Sequence, residues 1–403
     1  MKNWPRMKLN DLLEAQNGYA FSSKDYVEAG HFVMRIGNVQ NGFIVRTDPT
    51  FVQLPRNGQL SRFELAEGDI LVSLTGNIGR VGVVAKEHLP AVLNQRVARL
   101  SMRDHSPMSK SLLFYFLSSG YFRDELTGTG HGAAQQNVST KDLLAIEIAI
   151  PSKQDQTRIV DILDEAFDGV ATARANAEKN LQNARELFES HLQSVFTIAD
   201  EKWMMTSLGA EVDLLLGFAF KSTGYTDRDD GVRLLRGDNI VQGVLRWDDV
   251  KRWPVADTDD YQKYQLQNDD VVLAMDRPWV KAGLKRARIS EVDIPCLLVQ
   301  RTACLRGGAK LESSFLMYLI GSIGFTQHIL GVQTGSGVPH ISGQQIKDFS
   351  FLKPPLKQQR LIAAQLDELR ENVQRLESLY QQKLSALAEL KKSLLHEAFS
   401  GRL

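Results

Sequence analysis

Apolar positions along this chain follow one rhythm, then another, and the pair of rhythms occurs twice. Over roughly the first 150 residues the apolar runs are short and rich in Val, Ile and Leu. DILVSL (Asp69–Leu74) and VGVVA (Val81–Ala85) are bounded by glycine-containing turns and predict strands. SLLFYFL (Ser111–Leu117) reads as helix. Residues 201–353 carry matching pieces: DVVLAM (Asp270–Met275) for the strand and SFLMYLI (Ser314–Ile320) for the helix. After each stretch stands proline, Pro151 and then Pro354-Pro355, which suits the start of a helix and cannot continue a strand ladder.

Beyond each proline the period lengthens. Leu366, Val373, Tyr380, Leu387 and Leu394 recur every seven residues, with Leu369, Leu376 and Leu390 three places later and Lys383 interrupting. Such a two-position seam predicts a coiled coil. The earlier segment has Phe167, Leu181, Phe188 and Val195 in the same register, beside Val170, Ala177 and Ala184. Neither segment has the broad stripe of a helix lying on a sheet. Each needs a partner, and the other is the available one. Lys179, Arg185, Lys383, Lys391 and Lys392 are expected on the solvated side.

The two rhythms are copies of one unit. Gln136–Asp164 returns as Pro339–Asp367 without a gap, 203 residues further on, and the echo continues to Phe196 and Phe399. In the globular stretches it is looser: Asn38 with Asn239, Gly42 with Gly243, Asp69 with Asp270, Gly82 with Gly283 (201 apart), and Gln95-Arg96 with Gln300-Arg301 (205 apart). A shared frame with different loops is what two specificities on one scaffold require. Four segments follow: a first mixed domain (1–150), a helical spacer (151–200), a second mixed domain (201–353) and a second spacer (354–403). The fold class is α+β: two similar mixed α/β domains joined by two long antiparallel helices that form an intramolecular coiled coil with a pseudo-two-fold. Antiparallel packing follows from connectivity if a globular segment sits at each end. Helices of about 40 residues span ~60 Å, enough to bring two heads to major grooves about 34 Å apart.

Composition narrows the function. Apolar residues make up 43% and charged residues 24%, with zero formal net charge over 403 residues. That disfavours a broad basic field and leaves room for local basic surfaces or a charged partner. Cys296 and Cys304 match no zinc spacing and fit buried thiols in a reducing compartment. Neither a signal-peptide pattern nor a membrane-length apolar run is present, so no membrane partner and a cytoplasmic location are expected. There is no phosphate loop of the Gly-x-x-x-x-Gly-Lys-Ser/Thr kind, and LTGNIGRVG (Leu74–Gly82) reads as a hairpin turn.

Side chains suited to bases and phosphates cluster at matched positions. Thr75, Asn77 and Arg80 share one loop; its counterpart holds Arg277 and Lys281, with Lys285 and Arg286 beyond. Arg35 and Asn38 match Arg236 and Asn239. Arg96 matches Arg301, a pair that serves either DNA or an internal bridge to a carboxylate. Glycine loops carry His131 and Gln136 in the first half, Ser336 and His340 in the second.

With QNVSTKDL followed by IPSKQDQTRIV, its echo HISGQQI followed by KPPLKQQRLI, and the ending LLHEAFSGRL, the whole chain resembles the specificity subunit of type I restriction-modification systems. The resemblance implies two target recognition domains, each reading half of a bipartite asymmetric site on double-stranded DNA. The helices then set the spacing and dock two methyltransferase subunits, and a restriction (endonuclease and translocase) subunit joins the complex. It also implies a non-catalytic chain that binds no cofactor itself, with S-adenosylmethionine, ATP and Mg2+ on the partners. The absence of an Asn/Asp-Pro-Pro-Tyr/Phe motif agrees. The competing reading is a coiled-coil adaptor that organises protein partners without reading DNA.

Overall fold

A computed structural model describes residues 4–55, 58–128, 137–197, 201–335 and 338–403. The chain divides into two compact units. One comprises Met1–Lys179 with Gln381–Leu403, the other Asn180–Tyr380. Each holds one mixed domain and parts of both long helices, Lys153–Thr197 and Leu356–Phe399.

In the first unit an antiparallel sheet runs in the order Leu13–Asn17, Val97–Met102, Ile70–Ser73, Val81–Val83. A second sheet orders Tyr26–Val27, Phe51–Val52, His31–Met34 and Ala91–Leu93, the last pair parallel. The predicted strand at 70–73 is buried on both faces. Side chains alternate along a strand, so Ile70 and Val72 enter one core while Leu71 enters another. The second unit repeats this: Val271 and Leu273 face one core, Val272 and Ala274 the other. There the main sheet has five strands, in the order Asp213–Leu216, Thr302–Arg306, Val271–Ala274, Arg286–Arg288, Gln242–Gly243.

Strand register corrects one predicted equivalence. Gly82 lies opposite Leu71, and Ala287 opposite Val272. The counterpart of Gly82 is therefore Ala287, not Gly283. The connection between these strands is longer in the second unit and forms an added hairpin, Trp279–Val280 with Gly283–Leu284, which the sequence pairing had absorbed as a false match.

Each domain is clamped to the start of its helix by the same polar bonds. Gln156, almost fully buried, donates to the carbonyls of Pro107 and Pro151 (2.8 and 3.0 Å) and accepts from the Ser109 amide (2.8 Å). Gln359, 203 positions later, donates to the carbonyls of Lys310 and Pro354 and accepts from the Glu312 amide. Tyr115 donates to Asp164, and Tyr318 to Asp367 at 2.6 Å. Burial, reinforced by these carboxylates, drives both phenol pKa values upward.

Within each unit the two long helices run antiparallel, because rising positions on one meet falling positions on the other. In the first, Ile159 and Leu163 share a core with Leu395 and Ala398, and Lys391 caps the Phe167 ring at 4.8 Å. In the second, Arg185 pairs with Glu377 at 2.6 Å and Arg370 lies over Phe188 at 5.8 Å. Positions 167 and 370 are repeat equivalents, as are 188 and 391. The cation and the aromatic ring have exchanged places between copies, and the contact survives. Lys391 is thus not a solvated residue; burial lowers its pKa. The predicted seam is also asymmetric. Leu366, Val373, Ala177 and Ala184 are buried, but Leu376 and Leu390 remain 38% and 46% exposed. Near the helix ends the mixed domains, not the facing helix alone, supply much of the packing surface.

Truncating a clamp leaves three backbone groups without their partner, and even one of them left buried and unpaired costs about 1–3 kcal/mol. Gln156→Ala and Gln359→Ala are each expected to lower stability by at least that amount in chemical denaturation. A change within about 0.5 kcal/mol, typical of surface substitutions, would reject the clamp.

Candidate nucleic-acid interface

In each unit three loop segments are laced together by backbone hydrogen bonds. In the first, the Leu74 amide donates to the Arg96 carbonyl and the Val138 amide to the Leu74 carbonyl (3.1 and 3.0 Å), while Thr75 bridges Asn137. In the second, the Met275 amide donates to Arg301 and the Ile341 amide to Met275, both at 2.9 Å; Asp276 bridges His340. The candidate loop, the Gln-Arg turn and the segment preceding the helix therefore form one surface in each copy. Ser73 organises the first loop: its hydroxyl donates to the Asn77 carbonyl and accepts from the Arg80 amide. Gly76 and Gly79 take positive φ, +67° and +75°, as so tight a turn demands. Asn77 is exposed at the tip, and Arg80 reaches Gln40 Oε1 at 2.9 Å.

Arg96 and Arg301 are exposed at turn tips. Arg301 makes only a loose pair with Asp276, at 3.7 Å. The internal bridge to a carboxylate belongs to other arginines: Arg306 grips Asp270 with two bonds of 2.7 Å, and Arg99 meets Asp69 at 3.5 Å. Arg301 and Arg277 both hold positive φ (65° and 43°), which costs a residue with a Cβ about 1–2 kcal/mol. Strain of this kind concentrates where a side chain must be presented in a set direction.

Asn38 and Asn239 are corrected. Both are buried, and their amides are committed to the backbone. Asn38 accepts from the Arg35 amide and donates to the Val45 and Thr47 carbonyls; Asn239 accepts from the Arg236 amide and donates to Arg246. They build the turns that carry Arg35 and Arg236 and offer nothing to a base edge. Arg35 is itself tied to the Asp48 carbonyl at 2.6 Å, and Arg236 pairs with Asp238 at 3.2 Å. His131, Gln136 and Ser336 lie outside the described residues.

The second unit gathers a local basic cluster. Lys285 stands near the Arg236–Asn239 turn, since a side chain at Gly237 would come within 3.9 Å of its Nζ. Its pKa is lowered, first by burial; Arg277 and Arg246 add to the drop, and Asp238 and Asp276 oppose it. Arg246 has no counterpart in the first copy, where Val45 stands, so the repeat could not reveal it. Lys281 and Arg286 fall elsewhere, lining a cavity between the sheet and the long helices of the second unit. Both cysteines are buried, and burial pushes the Cys296 thiol up to about 12. Among the described residues no cluster of His, Cys, Asp and Glu is arranged to hold a metal, and no single helix is long and apolar enough to cross a membrane.

Comparison with known proteins finds similarity along the whole chain. The type I restriction modification DNA specificity domain matches residues 1–181. The specificity subunit of the Escherichia coli type I enzyme EcoAI is 39% identical over 170 residues, which is 42% of this chain and 28% of that protein. The StySPI specificity subunit of Salmonella potsdam is 26% identical across 92% of this chain and 82% of its own length. Two solved structures share the fold. One, from work on complex assembly and conformational transition of the type I R-M system, has a TM-score of 0.77 at 18% identity, covering 100% of this chain and 99% of that one. The HsdS subunit from Thermoanaerobacter tengcongensis has a TM-score of 0.61 at 18% identity, with 100% and 98% covered. Residues 1–181 thus match the type I restriction modification DNA specificity domain, and along most of its length the chain is similar to specificity subunits of type I restriction enzymes.

A depressed lysine pKa means that the unfolded chain binds more protons, so stability rises with pH between the lowered folded value and the ordinary 10.5. Lys285→Met is therefore expected to raise the thermal midpoint near neutrality, with an advantage that shrinks as pH climbs through that window. A destabilised variant, or a difference independent of pH, would contradict the burial of this charge.

Proposed function

We propose that each mixed domain reads one half of a bipartite, asymmetric sequence in double-stranded DNA. The helical segments set the gap between the halves and dock two methyltransferase subunits. Adenine methylation, and cleavage by a restriction subunit, belong to those partners, together with S-adenosylmethionine, ATP and Mg2+. The complex works in the cytoplasm. The observation that carries this reading is the laced three-segment surface, built by the same backbone bonds in both copies but furnished differently. The first copy presents Asn77, Arg80 and Arg96, while the Thr75 hydroxyl is shut away from solvent. The second presents Arg277, Arg301, Lys285 and His340, with arginines held at positive φ. One frame with two sets of polar side chains suits two different half-sites. Leu187 and Leu379, each more than half exposed on the helices, are apolar positions open to a docked subunit.

Exchanging residues 1–150 for those of another family member, in the assembled complex, is expected to change one half of the methylated motif and leave the other intact. Change in both halves would sink the one-domain-per-half assignment. One heptad, about 10 Å of helix, added to each long helix is expected to widen the gap between the half-sites. A fixed gap would reject the spacer role.

A further inference from the structure

The cavity in the second unit has a volume of about 420 Å³ and is lined by elements in which the two copies differ. Arg286 lies opposite Leu273, where the first copy places Val81 opposite Val72. Val81 is a core residue, so a guanidinium occupies the seat of a buried valine. Room for it comes from Gly321, where the first copy has Ser118; a Cβ at 321 would collide with the Arg286 guanidinium. Trp279 and Lys281 come from the added hairpin, and Arg370 replaces Phe167. Four departures from the repeat thus converge on one space.

Their charges are unbalanced. Glu377 is taken by Arg185, which leaves Glu189 facing Arg286, Arg370 and Lys281. Arg286 Nη1 is shut away from solvent and meets no acceptor among the described residues. Burial, with repulsion from Arg370, pushes its pKa down to about 10 against the pull of Glu189. The ten-residue helix Ile323–Val332 also begins at the cavity wall, and helix N-termini favour anions. A buried cation without a partner is costly. Here the surroundings have been opened to admit it, and an anion would complete it. Trp279 and Phe188 line the same space.

The geometry points to a phosphate-binding site in this cavity, with Arg286, Arg370 and Lys281 as the cations that line it. The phosphate comes either from a free phosphomonoester or from the DNA backbone; the second source rests on the DNA-reading proposal above.

The test uses a transplant that the protein already tolerates in its first copy, the double variant Arg286→Val with Gly321→Ser. Calorimetric titration of the full chain with inorganic phosphate and with adenosine monophosphate is the first arm. The second is the salt dependence of target-duplex binding by the chain assembled with methyltransferase subunits. Saturable binding of either probe, weakened about tenfold or more in the variant, establishes the site for free phosphates. No binding of the probes but a salt slope shallower by about one in the variant assigns the site to the DNA backbone. Equal probe binding by both proteins, or no probe binding with an unchanged slope, overturns the proposal. If the variant complex still reads both half-sites in those failing cases, DNA reading stands without it.

Discussion

Each reading surface is only as well aimed as its attachment to the helix that carries it. That attachment is a buried glutamine spanning three backbone groups, backed by a tyrosine–aspartate bond. A carboxamide has both donors and acceptors, so one Gln can close the gap between a loop carbonyl, a proline carbonyl and a helix-capping amide that would otherwise be buried unpaired. The second copy repeats the solution at Gln359 and Tyr318. Fixing the joint rigidly leaves the distal loops free to vary, because they bear little of the packing. The clamp therefore reconciles two demands on a sequence reader: a set orientation and a changeable surface.

How much of this is legible in the amino-acid string depends on what limits each position. Gln156, Asp164 and their echoes repeat without a gap because packing leaves them no freedom, and the long helices announce themselves through heptads. The loops obey no such limit. The added hairpin at Trp279–Leu284 made Gly283 look like the partner of Gly82, and only ladder register exposes Ala287 in that role. Asn38 and Asn239 have the right chemistry for adenine, yet the same chemistry ties each side chain back to the amide three residues earlier and closes a turn, and burial decides between the two. Arg301 and Arg306 are indistinguishable as letters; one is a surface tip and the other clasps Asp270.

Zero net charge leaves room for the proposed nucleic-acid surface, because charge is placed locally. Arg277, Lys285, Arg246 and Arg236 stand close enough to perturb one another, or are tethered to acids that keep them from simply repelling. The exchange of Phe167 and Lys391 for Arg370 and Phe188 keeps the contact while its members change sides in the repeat, so the cation comes from the second long helix in both units.

The most direct measurement is sequencing of methylated adenines in DNA from cells that express this chain with its methyltransferase subunit. The account expects one motif made of two unlike halves separated by a gap of unspecified bases. Methylation in an uninterrupted motif, or in a motif with identical halves, would contradict two dissimilar readers; methylation that did not depend on this chain would contradict DNA reading itself.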